Sequence, residues 1–182
     1  MSENLPHRVA STVPMQTVPW EGEIPDRSRA AYGDGVLQFE SYVGQNRIVS
    51  PVGLVYGLIV SLRDHETFDF LTDLTVVDHP KDELRFELVY MLYSFARNER
   101  IRIHARIADG EAVPSIVPLF AGANWMEREA FDMFGVSFSG HPKLTRILMP
   151  EDWHGFPLRK DASILGMDND WVQKHLGIES GQ

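Results

Sequence analysis

Hydrophobic and polar positions alternate most plainly in the middle of the chain. Between Arg100 and Ile107, the residues Ile101, Ile103, Ala105 and Ile107 take one face and Arg100, Arg102, His104 and Arg106 the other, which predicts a half-buried strand. The same period of two sets Leu37, Phe39, Ser41 and Val43 against Gln38, Glu40 and Tyr42. Phe70 to Asp78 is rich in β-branched residues and stops at His79-Pro80, so it predicts a strand ended by a turn. Leu84 to Ser94 begins by alternating and then turns apolar on both faces, as a central strand would. Val55, Leu58, Ile59 and Leu62 recur at helical spacing and predict a helix over 51–62, with Ser50 as N-cap and Pro51 at its first position.

The links 80–83 and 95–99 are short, and short links join antiparallel neighbours. The expected architecture is α+β: an antiparallel sheet with helices packed on one face, followed by a long irregular C-terminal clasp. Residues 1–35 hold four of the eleven prolines and little periodicity, so they read as a flexible N-terminal arm. Residues 36–110 read as the α+β domain, and 111–182 as a helix plus an extended segment. That helix is placed at Trp125 to Phe134, with Asn124 as cap, Glu127 completing a capping box and Gly135 as the left-handed residue after its end. Residues 136–166 show no sustained period, yet they carry Phe138, Leu144, Ile147, Leu148, Met149, Trp153, Phe156 and Leu158. Such a stretch is too apolar for a solvated linker and is expected to lie against another surface.

Composition removes whole classes of function. There is no cysteine, which excludes disulfides, thiolate catalysis, cysteine-held zinc and cysteine-ligated iron–sulfur clusters. A net charge of −9 makes nucleic acid an unfavourable partner. No run approaches the roughly 20 apolar residues that cross a bilayer. No basic run followed by an apolar stretch opens the sequence either, so the expected compartment is cytoplasmic, with a peripheral seat on a membrane-bound partner still open.

Three groups of residues could carry chemistry. On the predicted helix, Arg128, Glu129 and Asp132 share a polar arc on which Arg128 and Asp132 are i, i+4 neighbours, while Glu127 falls on the apolar side. A carboxylate there must be capped, paired or protonated. The pattern fits a general acid/base pair, a buried inter-subunit salt bridge, or a capping box with a solvated charged face. His141 and His154 stand thirteen residues apart in irregular chain, without a ligand spacing for zinc. The basic strand face of Arg100, Arg102, His104 and Arg106 fits an anion, an acidic partner helix, or pairing across to Arg85 and Glu87. Glycine-rich phosphate loops and a GxSxG elbow are absent.

The run Glu127-Arg128-Glu129-Ala130-Phe131-Asp132-Met133-Phe134, followed after six intervening residues by His141, resembles the signature of one family. Gly140-His141-Pro142, Arg146-Ile147-Leu148, Pro150-Glu151-Asp152-Trp153 and the stretch Gly155 to Asp161 extend the likeness, as do Phe68 to Leu74 and Val77-Asp78 upstream. The family is the C subunit of bacterial respiratory NADH:quinone oxidoreductase, complex I, and the resemblance covers roughly residues 36–162. Thr145 departs from it, standing where the family has a basic residue or proline, which leaves Arg146 to carry that contact.

The resemblance implies a non-redox structural subunit of the hydrophilic arm, part of an enzyme but not catalytic alone. It implies no cofactor in this chain, since the iron–sulfur clusters, FMN and quinone belong to partner subunits. It places the chain peripherally on the cytoplasmic side of the membrane, its C-terminal segment wrapping the large quinone-site subunit beside iron–sulfur subunits. Glu127, Arg128, Glu129 and Asp132 become charge-paired anchors on that partner, with His141, Arg146 and Arg159 in the signature. Trp153, Phe156 and Leu158 would fill the partner's pockets. Two alternatives are an equivalent subunit of a ferredoxin-fed or hydrogenase-type complex, and a stand-alone acid/base enzyme using Glu127 or Glu129 with His141.

Overall fold

The computed structural model describes residues 16–162 and 173–174. In chain order the elements are β1 (Val18–Pro19), α1 (Glu23–Tyr32), β2 (Gln38–Tyr42), β3 (Gln45–Val49), α2 (Val52–Glu66), β4 (Phe70–Asp78), β5 (Phe86–Ser94), β6 (Glu99–Ile107), β7 (Ala112–Pro114), α3 (Ala123–Phe134) and β8 (Ser137–Ser139). Six strands form one sheet in the order β1-β2-β3-β6-β5-β4, and β7 pairs with β8 in a small second sheet.

The meander β4-β5-β6 is antiparallel, as its short links require. The α+β class stands, with one departure from an antiparallel sheet: β3 runs parallel to β6. The long excursion through α2, β4 and β5 between them supplies the crossover that parallel neighbours need. Polar Gln45, Asn46 and Arg47 hide β3 from a hydrophobic pattern, although Ile48 is fully buried.

Val55, Leu58, Ile59 and Leu62 are buried as the helical spacing predicts. Ser50 does not cap α2. Its N–H donates to the His104 carbonyl, extending the β3–β6 ladder, and its hydroxyl donates to the Pro51 carbonyl. The stretch expected as a flexible arm carries β1 and α1 from Val18 to Tyr32. Pro25 is tolerated because it sits in the first turn of α1, where backbone N–H groups have no intrahelical acceptor. Residues 1–15 lie outside the described residues, as do most of 163–182.

One apolar core holds the described chain together. Ile24 of α1, the α2 face and the inward rows of β4, β5 and β6 join Val113, Ile116, Ala123, Ala130 and Phe138 in the same cluster. The first part of the region expected as a separate clasp therefore packs on its own domain. α3 lies along β4, and that placement presents its charged signature to the irregular chain beyond β8.

Candidate functional site

α3 ends where the sequence predicts. Gly135 adopts a left-handed conformation at φ 79°, and its N–H donates to the Phe131 carbonyl. Glycine is needed here twice over, since a Cβ at this position would lie 2.5 Å from the Phe156 ring and 2.7 Å from the Arg159 guanidinium. The start differs from expectation. Neither Asn124 nor any other side chain caps the helix, whose N-cap is Gly122.

Glu127 makes no capping box. Its side chain shares the buried face of α3 with Ala123 and Ala130, fully shielded from solvent. There it accepts the Ser115 hydroxyl and the Ile116 N–H, each at 2.7 Å, and so fixes the turn that follows β7. Desolvation raises its pKa, and the two donors and the nearby His141 only partly offset that. The imidazole of His141 donates from Nε2 to the Asn124 carbonyl at 3.2 Å and accepts the Lys143 N–H at Nδ1. Glu127 is thus sealed in the core while Glu129, two positions on, faces solvent. Substrate could not meet both carboxylates together.

Asp132 is also fully buried, and four donors converge on it. Arg146 Nη1 lies at 2.8 Å from Oδ1, while the N–H groups of Ile147, Leu148 and Met149 donate to Oδ2 at 3.0, 2.7 and 2.9 Å. Desolvation alone would raise its pKa. The three backbone N–H groups and Arg146 outweigh it and hold the carboxyl below its usual range. Arg146 also donates to the Trp153 and Gly155 carbonyls, so one side chain gathers three stretches of chain.

Arg128 does not pair with Asp132, despite their i, i+4 spacing. It turns to the Thr145 carbonyl at 2.9 Å, the Thr145 hydroxyl at 3.0 Å and the Arg146 carbonyl at 3.1 Å. Thr145, expected to leave a contact to Arg146 alone, instead offers its own hydroxyl as an acceptor to Arg128. Arg128 also lies over the Trp125 ring at 5.1 Å.

Beyond Gly155 the chain returns to the sheet through stacked rings and guanidinium groups. Phe156 packs against Arg146 at 5.4 Å and Arg159 at 4.7 Å, and Arg159 meets Phe86 at 5.0 Å, which meets Arg85 at 5.1 Å. Each of these latter two arginines has a carboxylate: Arg159 on Asp109 at 2.8 Å, Arg85 on Asp78 at 2.8 Å and on Asp161 at 2.8 Å. Asp78, fully buried at its side chain, also accepts the Lys160 N–H at 2.7 Å. The Arg85 guanidinium holds the Asp78 carboxyl below its ordinary range.

The geometry thus joins Arg128, Asp132, Arg146, Phe156 and Arg159 into one bonded cluster around α3. It leaves Glu129 exposed and Leu158 half exposed, the latter's N–H donating to the Met133 carbonyl. Trp153 is half buried. Sequence reasoning missed Ser115, Asp78, Arg85, Asp109 and Asp161 as members of this network. Their partners lie between 7 and 82 residues away, beyond any local spacing rule. Among the described residues, no group of three or more His, Asp or Glu side chains is placed to hold a metal ion, and no helix is long and apolar enough to cross a membrane.

Comparison with known proteins decides the family. The model of the respiratory-chain NADH dehydrogenase 30 kDa subunit matches residues 51–167, more than half of the chain. The chain belongs to this family. Among curated relatives, the NADH-quinone oxidoreductase C subunit of Brucella ovis is 42% identical over 147 residues, 80% of this chain and 73% of that protein. Its counterpart in Brucella canis matches to the same extent. The fold is shared with a chain in the structure of the membrane-bound sulfane sulfur reductase, an archaeal respiratory membrane complex. That match has a TM-score of 0.68 at 23% identity and covers 85% of this chain and 91% of the other. The matched span includes the whole α3 network that pins the irregular segment to the domain.

Proposed function

We propose that the chain is a non-redox structural subunit of the hydrophilic arm of an NADH:quinone oxidoreductase, supporting the quinone-site subunit while electrons pass from NADH to quinone through neighbouring subunits. It sits peripherally on the cytoplasmic side of the membrane, and the clusters, FMN and quinone belong to its partners. The observation that carries this reading is the destination of the signature charges. Arg128, Asp132, Arg146 and Arg159 bond within the chain and fix the irregular segment's shape, while Glu127 fixes the Ser115–Ile116 turn. Around α3 they leave a surface of Trp125 (64% exposed), Leu148 (61%), Leu158 (50%) and the carboxylate of Glu129. An ordered apolar surface with a charge beside it suits a stable protein interface.

The large quinone-site subunit is the proposed occupant of that surface, with iron–sulfur subunits beside it. Preorganisation is the physical gain, since a segment already held by its own salt bridges loses less entropy on docking. The burial of Glu127 speaks against the acid/base enzyme. Affinity capture of the tagged full chain from gently solubilised native membranes, with mass spectrometry and an iron assay, tests the proposal. A stoichiometric, iron-rich assembly that oxidises NADH with quinone is expected. The same assembly without NADH oxidation would shift the reading to a ferredoxin-fed or hydrogenase-type relative, and a lone soluble chain would overturn it.

A further inference from the structure

The basic face of β6 is only partly used inside the molecule. Arg106 pairs with Asp82 at 2.6 Å. His104 binds Glu87, which also holds His79, each at 2.8 Å. Arg47, opposite Arg102 on β3, binds Glu40. Arg100 and Arg102 remain without a carboxylate among the described residues, in a chain whose net charge is −9. They point to the same side of the strand, about 7 Å apart along it.

We propose that the outer sheet face centred on Arg100 and Arg102 is a second docking surface, taking an acidic segment with apolar side chains from a neighbouring protein subunit. The shape of the face supports a bound segment. Arg102 lines two grooves, one of about 410 Å³ shared with Tyr42 and His104, the other of about 270 Å³ shared with Asn98 and Arg100. On the other side of Arg100 lies an aromatic cluster. Tyr93 is the register partner of Arg100, its ring meets Phe95 at 4.9 Å, and Phe95 meets Phe70 at 5.7 Å. Phe95 is 69% exposed and Phe70 48%.

Exposed aromatic rings beside arginines that lack carboxylates have the composition of an interface hot spot. A free anion would satisfy the guanidinium groups and leave the rings in water. An acidic segment carrying apolar side chains covers both, and its carboxylates meet the arginine forks with bidentate geometry. The inference rests on membership of a multi-subunit complex and is independent of where the C-terminal segment docks.

The test replaces Phe95 by a photo-reactive benzoyl-phenylalanine in the full chain, assembles the complex, and sequences the peptide captured on irradiation. Position 158 carries the same probe in a parallel sample, to report on the α3 surface. We expect position 95 to capture one peptide of another subunit with an excess of Asp and Glu. The yield should fall about tenfold with Arg100→Glu/Arg102→Glu, which is about 1.4 kcal/mol. It should survive Arg100→Lys/Arg102→Lys and drop near 1 M salt, where the Debye length is about 3 Å. No capture, or capture of a lipid, a second copy of this chain, or a neutral or basic peptide, overturns the proposal. An unchanged yield in the charge-reversed variant overturns it too. Should charge reversal prevent assembly, the composition of the peptide captured by the arginine-bearing chain decides. Loss at 95 with capture kept at 158 refutes this face alone, and the converse refutes the C-terminal docking alone.

Discussion

Arg146 and Asp132 meet at 2.8 Å across fourteen residues of chain, the aspartate fully shielded and the arginine side chain only 14% exposed. The pair converts an irregular stretch into a defined surface. The aspartate's second oxygen then gathers the three N–H groups that follow Arg146 in sequence.

Asp132→Asn keeps the shape and removes the charge. An amide places N–H hydrogens where donors already converge and leaves Arg146 unpaired in a shielded site, so a loss of about 3–5 kcal/mol is expected. Denaturant unfolding of the full chain measures it. Hydrogen exchange at Ile147, Leu148 and Met149 should rise before exchange in β5 does. A variant within the ±0.5 kcal/mol of an ordinary surface change would contradict the staple.

Gly135→Ala tests the close approach of the returning chain. The new methyl group meets the Phe156 ring in a left-handed backbone. Strain of about 1–2 kcal/mol for that backbone and about 1–3 kcal/mol for overpacking should add. Limited proteolysis should then cut within 140–162 while the sheet stays intact; an unchanged digestion pattern would mean that Phe156 does not need this seat.

The pH dependence of stability should carry two opposite signs. Asp132 and Asp78 have depressed folded-state pKa values, and Glu87 is held down at about 2, chiefly by its hydrogen bond to His104. Their contribution is present above the unfolded carboxylate pKa of about 4 and is lost as pH falls through the folded values. Glu127 has a raised pKa, so its contribution is full below the unfolded value and is lost as pH rises through the folded one. Glu127→Gln can still accept the Ile116 N–H and donate to the Ser115 hydroxyl. Relative to the unsubstituted chain it should therefore gain stability as pH rises above the unfolded carboxylate pKa of about 4 and through the raised folded value, measured by thermal unfolding as a function of pH. An invariant difference would show Glu127 to be ionised as readily in the fold as out of it.

The legible parts of this fold were those with local causes. A period of two exposed β2, β6 and the start of β5, β-branched content ended by a turn exposed β4, and a helical stripe exposed α2, because burial on one face writes itself into neighbouring residues. Polar β3 and the proline-bearing α1 were illegible for the opposite reason, their cores being single residues such as Ile48 and Ile24. At the site, the family signature marked Asp132 and Arg146 but not their bond. Local rules suggested that Glu127 would cap α3 and that Arg128 would reach Asp132. The fold instead offers Glu127 the Ser115–Ile116 turn and offers Arg128 the carbonyls of Thr145 and Arg146. A buried carboxylate takes whichever donors the tertiary structure brings, and those lie outside any helical window.

Glu129 is the signature charge left facing solvent, beside exposed Trp125 one turn earlier. Glu129→Ala should leave the unfolding free energy of the full chain within about 0.5 kcal/mol, as an exposed site does. In the assembled complex the cost rises to about 3–5 kcal/mol if the carboxylate pairs with a buried cation of the partner. The direct measurement is the amount of assembled complex in native membranes carrying Glu129→Ala, read together with NADH:quinone turnover per assembled complex. A structural subunit requires less assembly with unchanged turnover in each complex that forms. Full assembly with lost turnover would make Glu129 part of the chemistry and contradict the structural role.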